Sequence, residues 1–174
     1  MPAFGDPDPR LLIVGLAPGM HGANRTGRPF TGDYAGVLLY NTLFQLGVAS
    51  DTQSISMDDG LTLTGVRITN AVKCLPPQNK PTTAEIRCCN AFLRDEIAAL
   101  SRQCRLLALG AIAHQAILRS YGLKLSAYRF GHGTEHRLPD GRMLIDSYHC
   151  SRYNTQTRRL TEPMFIEVMR RALA

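Results

Sequence analysis

Residues 11–33 read LLIVGLAPGMHGANRTGRPFTGD. The first four are uninterrupted aliphatics that end at Gly15, and such a run reads as a strand buried on both faces, as in a parallel sheet covered by helices. The glycine-rich stretch that follows predicts a loop at the carboxyl end of that strand. Tyr34 to Leu46 (YAGVLLYNTLFQL) then carries apolar residues at helical spacing. Asp33, just ahead of them, suits the N-cap of a helix.

The same rhythm continues along the chain. Val66 to Val72 (VRITNAV) is β-branched and bounded by polar turns, which predicts a second core strand. The proline-rich LPPQNKP at 75–81 breaks the chain before Thr83, which caps a helix expected from Ala84 to about Leu100. Arg105 to Gly110 (RLLALG) repeats the strand-then-glycine pattern and leads into a helical stretch through Leu118. Glu135 to Leu138 and Met143 to Ser147 flank the turn signal Pro139-Asp140-Gly141, so a hairpin should feed the last core strand. Thr161 to Leu173 closes as a helix. Alternating strands and helices imply an α/β fold, a parallel sheet covered on both faces with ligands beyond the carboxyl ends of its strands.

A chain of 174 residues with 44% apolar and 20% charged residues is expected to form one domain, 1–174, around a proper core. No stretch reaches the ~18 apolar residues that cross a bilayer, and MPAFGDPDPR at the start lacks a signal pattern. The expectation is a cytoplasmic protein with no membrane partner. Five cysteines without CxxC spacing favour free thiols over a disulfide framework or a self-contained zinc site. A formal net charge of +6 favours a polyanionic partner, because Lys and Arg gain by displacing counterions from phosphates.

Three polar loops should meet at the carboxyl edge of the sheet: 15–33, the loop opened by Asn70, and His149 to Arg159. The first permits close backbone approach through its glycines, and Arg25 and Arg28 add charge. It is neither GxGxxG nor GxxxxGK[ST], so by itself it names no ligand. His132 and His136 in HGTEH have the i,i+4 spacing of a zinc pair, but on a hairpin they do not face together.

The phrase GLAPGMHGANRTGRPFTGD, followed in order by TNAVKCLPPQNKPT and YHCSRYNTQTRRLT, resembles the uracil-DNA glycosylase superfamily, and among its branches the type B, or family five, enzymes. The resemblance runs from about Gly5 to Thr161. It implies a three-layer sandwich with a central, mainly parallel four-stranded sheet flanked by helices. It also implies an enzyme that removes uracil from DNA and leaves an abasic site. A base inside a duplex hides its glycosidic bond, so such an enzyme must extrude the nucleotide and hold the freed base by stacking and edge hydrogen bonds.

The resemblance assigns parts to residues. Phe30 stacks on the uracil ring, its alternative being plain core. Asn70 pairs with N3–H and O4 of uracil, its alternative being a strand-end turn residue. His149 donates to O2 as charge builds on the departing base. Asn154, in the same loop, either holds that loop or touches the base, and Gly15 and Ala17 complete the base-binding set. Relatives often carry a water-positioning acid or amide where Ala17 stands, so Asp33 is the catalytic carboxylate implied here, with helix capping as its other task. The open Ala17 position implies tolerance of other deaminated bases such as hypoxanthine. His21, Asn24, Arg25, Ser151, Arg152 and Tyr153 would lie against DNA, with Arg158 and Arg159 extending the basic surface. Cys150 stands where the family usually has proline.

The type B branch carries a four-iron, four-sulfur cluster on four cysteines. Cys74 and Cys89 match one pair, with Cys88 a rival for the latter, and the other pair has no match, so half of a metal-ligand set is present. The implied partner is DNA containing uracil or other deaminated bases, bound by a monomer. Two other readings stay open from the sequence: a lesion-binding relative without catalysis, and an α/β enzyme that uses the first loop for the phosphate of a nucleotide.

Overall fold

The computed structural model describes residues 1–75 and 82–174. Its strands are β1 (Phe4–Gly5), β2 (Leu11–Gly15), β3 (Val66–Asn70), β4 (Arg105–Leu109), β5 (Glu135–Arg137) and β6 (Met143–Ser147). Its helices are α1 (Ala23–Thr26), α2 (Tyr34–Gln45), α3 (Thr83–Ala99), α4 (Ala111–Ser120), α5 (Arg152–Gln156) and α6 (Glu162–Leu173). The sheet order is β1-β3-β2-β4-β6-β5. The inner four strands are parallel, and the two edges are antiparallel.

Side-chain alternation in β2 sets the three layers. Leu11 and Ile13 point to one face, where they join Leu39, Tyr40 and Leu43 of α2 with Phe165 and Met169 of α6. Leu12 and Val14 point to the other, where they join Leu93 and Ile97 of α3 with Ala113 and Ile117 of α4. All four aliphatics are fully buried, and each contributes about 1.5–3 kcal/mol by leaving water. That double burial is why the run shows no polar alternation.

The four expected core strands are present, and two short edge strands bring the sheet to six. β1 has two residues and β5 three. β1 carries no legible period and is defined only by the neighbour whose hydrogen bonds it takes, whereas β5 is the first arm of the expected hairpin. The predicted hairpin forms, with Leu138 N donating to Arg142 O across the turn. The cap of α3 is Thr82 rather than Thr83. Thr82 accepts from Glu85 N at 3.2 Å while its own N donates to Glu85 at 2.6 Å, a reciprocal box that only the residue three before a glutamate can make. Of the proline-rich breaker, 76–81 lie outside the described residues. Within the segment His149 to Arg159, expected as a loop, Arg152–Gln156 winds into α5, capped by Ser151.

Candidate active site

β2 and β3 run in register, so Gly15 sits opposite Asn70 at their carboxyl ends. A Cβ on Gly15 would lie 2.5 Å from Asn70 Oδ1 and 2.6 Å from the Phe30 ring. The glycine is therefore the space that lets an amide and an aromatic face close on one another. Phe30 reaches that position in the left-handed region, at φ 53°, which costs about 1–3 kcal/mol in a side chain of this size. Three contacts hold it there. Tyr40 Oη and Thr31 Oγ1 both donate to Pro29 O, at 2.8 and 3.2 Å, and the Phe30 ring stacks on His149 with centroids 5.9 Å apart.

Asp33 caps α2, its Oδ1 accepting from Gly36 N at 2.9 Å. Its Oδ2 faces the first loop: a Cβ on Gly22 would come within 2.9 Å of it. The carboxylate thus divides its oxygens between helix and pocket. His149 leaves the end of β6, where burial lowers its pKa below the ordinary histidine value, only partly offset by the Asp33 carboxylate. It is a neutral imidazole at pH 7, able to donate one N–H.

Phe30, Asp33, Asn70 and His149, with Leu16, Ala17, Pro18, Gly19, Ala23 and Ala35, enclose a cavity of about 190 Å³. This is below the range of drug-sized sites and suited to a single base. The convergence expected of three separated loops is present. Asn154 does not line the cavity; its Nδ2 donates to His149 O at 2.8 Å, so of its two expected tasks the structure shows the loop-holding one. The Tyr148 ring stacks on His132 at 5.0 Å and lies under the Arg159 guanidinium at 4.7 Å.

His21, Asn24 and Arg25 are exposed on the first loop, and Arg152 and Tyr153 on α5. Ser151 Oγ accepts from Asn154 N at 3.4 Å as the cap of α5. Arg152 lies over the Tyr34 ring at 5.8 Å, and Thr155 Oγ1 donates to Tyr34 Oη at 3.3 Å. Sequence reasoning missed Tyr34, whose signal was an aromatic at the first position of a helix, 46% exposed. It also read Arg28 only as charge added to the first loop. Arg28 is 3% exposed and bonded to Asp59 at 2.7 Å; its two Nη groups find carboxylate, hydroxyl and carbonyl acceptors, while its Nε has none among the described residues.

The cysteines do not fit a four-iron cluster. Cys104 and Cys150 are buried in opposite faces of the sheet. Burial pushes the Cys104 thiol up to about 11 and the Cys150 thiol higher still, and on opposite faces of the sheet the two do not converge on one site. Cys74 and Cys88 are exposed and Cys89 is partly so, which leaves three accessible thiols for four ligand positions. Among the described residues, the group of possible ligands that converges is His114, His136 and Asp146, and its own hydrogen bonds close it. His114 Nδ1 faces Asp146 at 2.8 Å, His114 Nε2 faces Tyr128 O at 3.0 Å, and His136 Nε2 faces Asp146 at 3.2 Å. His132 goes elsewhere, its Nδ1 accepting from Tyr148 N at 3.1 Å.

Comparison with known proteins agrees with this geometry. The family model of the uracil DNA glycosylase superfamily matches residues 2–173. The chain is 51% identical over 172 residues to a type-5 uracil-DNA glycosylase of Thermus thermophilus, covering 99% of this chain and 78% of that one. It is 42% identical over 174 residues to a type-5 uracil-DNA glycosylase of Pyrobaculum aerophilum, covering 100% of this chain and 75% of that one. In three dimensions it is similar to the crystal structure of Pedobacter heparinus SMUG2, with a TM-score of 0.58 and 14% identity over 96% of this chain and 75% of that one, a likeness of fold. A pocket walled by Phe30, Asn70, Asp33 and His149 at the strand ends, and a match from end to end, place the chain in one family: it belongs to the uracil DNA glycosylase superfamily.

Proposed function

We propose that this protein hydrolyses the N-glycosidic bond of deoxyuridine in DNA, releasing uracil and leaving an abasic site, as part of DNA repair. The observation that carries the reading is that Phe30, Asn70, Asp33 and His149, drawn from three separate loops, wall one base-sized cavity. The names of the full-length relatives, type-5 uracil-DNA glycosylases, point the same way.

Each role follows from the chemistry of the group. An everted uracil lies against the Phe30 ring, with the Asn70 amide accepting from N3–H and donating to O4. Cytosine presents the reversed pattern at those atoms and leaves the amide mismatched. As the C1′–N1 bond breaks, its electron pair passes to N1 and O2 of the base. The neutral His149 donates to O2 and stabilises the anion without a prior proton transfer. Asp33 Oδ2 orients a water for attack on the electron-poor C1′ and lowers the energy of the sugar cation. The water's proton leaves through the carboxylate to solvent.

The wall at Leu16, Ala17 and Pro18 brings no polar side chain to the cavity, so the same site accepts other deaminated bases such as hypoxanthine. His21, Asn24 and Arg25 with Ser151, Arg152 and Tyr153 form the duplex-facing rim on either side of the mouth. We read the protein as a single-domain monomer that meets DNA in the cytoplasm. Among the described residues, no helix is long and apolar enough to cross a membrane. The test is a uracil-containing duplex, with free uracil and alkali-labile sites as products. Duplex binding without either product would overturn excision in favour of a lesion-binding role.

A further inference from the structure

Residues 51–61 connect α2 to β3 and contribute nothing to the cavity lining, yet they are built as a unit. The loop is closed at its neck by the Ala49–Leu63 bridge and by Ser50 N donating to Thr62 O at 3.0 Å, the form of a compact loop whose ends meet. Its centre is the Asp59 carboxylate. Asp59 accepts from Ile55 N at 2.8 Å, Ser56 N at 3.2 Å and Leu61 N at 3.0 Å, and from Arg28 Nη1 at 2.7 Å.

That last bond leads to the pocket. Arg28 stands two residues before Phe30, and it also gives Nη1 to Ser54 Oγ at 2.9 Å and Nη2 to Met57 O at 2.8 Å. On the other side of Phe30, Thr31 Oγ shares a hydrogen bond with the same Ser54 hydroxyl at 2.7 Å. Residues 28 and 31 are 3% and 0% exposed, so the strained φ of Phe30 lies between two buried anchors that end on one serine. A ring positioned this way has little room to drift. Its ring atoms border the space left by Gly15, and its centroid lies 5.9 Å from that of the His149 imidazole.

Resting on the excision reading above, the structure assigns Asp59 and Ser54 as positioning residues that fix the Phe30 ring over the flipped base through Arg28 and Thr31. The 51–61 loop is then part of the base-gripping apparatus. It touches neither base nor reacting atoms and acts on the chemical step by holding the stacking face at its distance, where a misplacement of about 1 Å is enough to cost on the order of a hundredfold in rate.

Ser54→Ala and Asp59→Asn, with Asp58→Asn as the neighbouring exposed control, separate this role from a structural one. Each protein is assayed for kcat and KM on a uracil duplex, for inhibition by free uracil, and for its melting temperature. The expected result is a fall in kcat and a weakening of free-uracil inhibition, each on the order of tenfold, with KM for duplex and the control unchanged. Ser54→Ala removes one hydroxyl and keeps the ion pair, so it gives the answer even if Asp59→Asn does not fold. Wild-type kcat and wild-type uracil inhibition in folded Ser54→Ala would overturn the assignment and leave excision standing. A change confined to KM would overturn it too, by making the loop a duplex contact. Failure of the unsubstituted protein to release uracil would remove the excision reading itself, and this assignment with it.

Discussion

A methyl group on Gly15 has nowhere to go except into Asn70 Oδ1 and the Phe30 ring, both within 2.6 Å of where it would sit. Both belong to buried side chains, and the anchored Phe30 ring has little room to move away, so the strain falls on the two groups proposed to grip the base. Gly15→Ala is therefore expected to lower the melting temperature and to reduce kcat/KM for uracil excision on the order of a hundredfold, while Gly15→Ser, larger still, should lower both further. Asp33→Ala and His149→Ala are expected to lower kcat on the order of a hundredfold or more, in the range seen when one transition-state donor is removed. Unchanged turnover in both would remove the roles assigned to them. Since burial lowers the His149 pKa below its usual 6.5, the neutral donor persists below the pH at which an exposed histidine charges. A pH–rate profile should stay flat as pH falls through 6.5 and turn down only further into acid.

At the scale of elements, the brace among α4, β5 and β6 has a pH signature of its own. Burial works against charge on His114, but the Asp146 carboxylate and the Tyr128 carbonyl outweigh it and raise its pKa above 6.5. With an acceptor at each ring nitrogen, the protonated form is the one the fold binds. Its contribution is fully present below pH 6.5 and is lost as pH rises through the folded-state value. His132 and His149, both lowered by burial, act in the opposite sense and cost stability as pH falls below 6.5. Thermal melts of wild type and His114→Gln across pH 5 to 9 should therefore diverge most at the acid end and converge toward the alkaline end. The N-terminus of α3 offers a simpler check: Thr82→Ala removes half of a capping box and should cost about 1 kcal/mol in denaturant unfolding.

The molecule as a whole carries a formal charge of +6, and part of it is exposed on Arg25 and Arg152, two of the residues proposed to face DNA. Affinity for duplex should fall steeply with added salt, as expected when cations on the protein release counterions from phosphates. Arg152→Ala should weaken duplex binding and reduce the slope of log K against log salt by about 1, with little change in kcat at saturating DNA. An unchanged salt slope would move Arg152 off the phosphate backbone. In that case its contact with the Tyr34 ring, at 5.8 Å, is its task.

Local chemistry made the core strands and most helices legible before any coordinates. A strand buried on both faces has to be aliphatic throughout, as 11–14 are, and a helix start needs an acceptor such as Asp33, which the structure uses for that purpose. The loops that wall the pocket were legible too, because each follows a core strand and the fold gathers strand ends along one edge. What the chain order could not convey was anything that depends on a partner distant in sequence. The burial of Arg28 was not legible because its acceptors lie 26 to 31 residues away, and the strained φ of Phe30 depends on a tyrosine in the next helix and a serine in the next loop. The edge strand β1 is too short to have a pattern, whereas β5 was legible through the turn that follows it, and His114, His136 and Asp146 have no common spacing. Periodicity and capping are fixed by near neighbours and survive in one dimension, whereas burial of a charge or a strained backbone is decided by groups that meet only when the chain has folded.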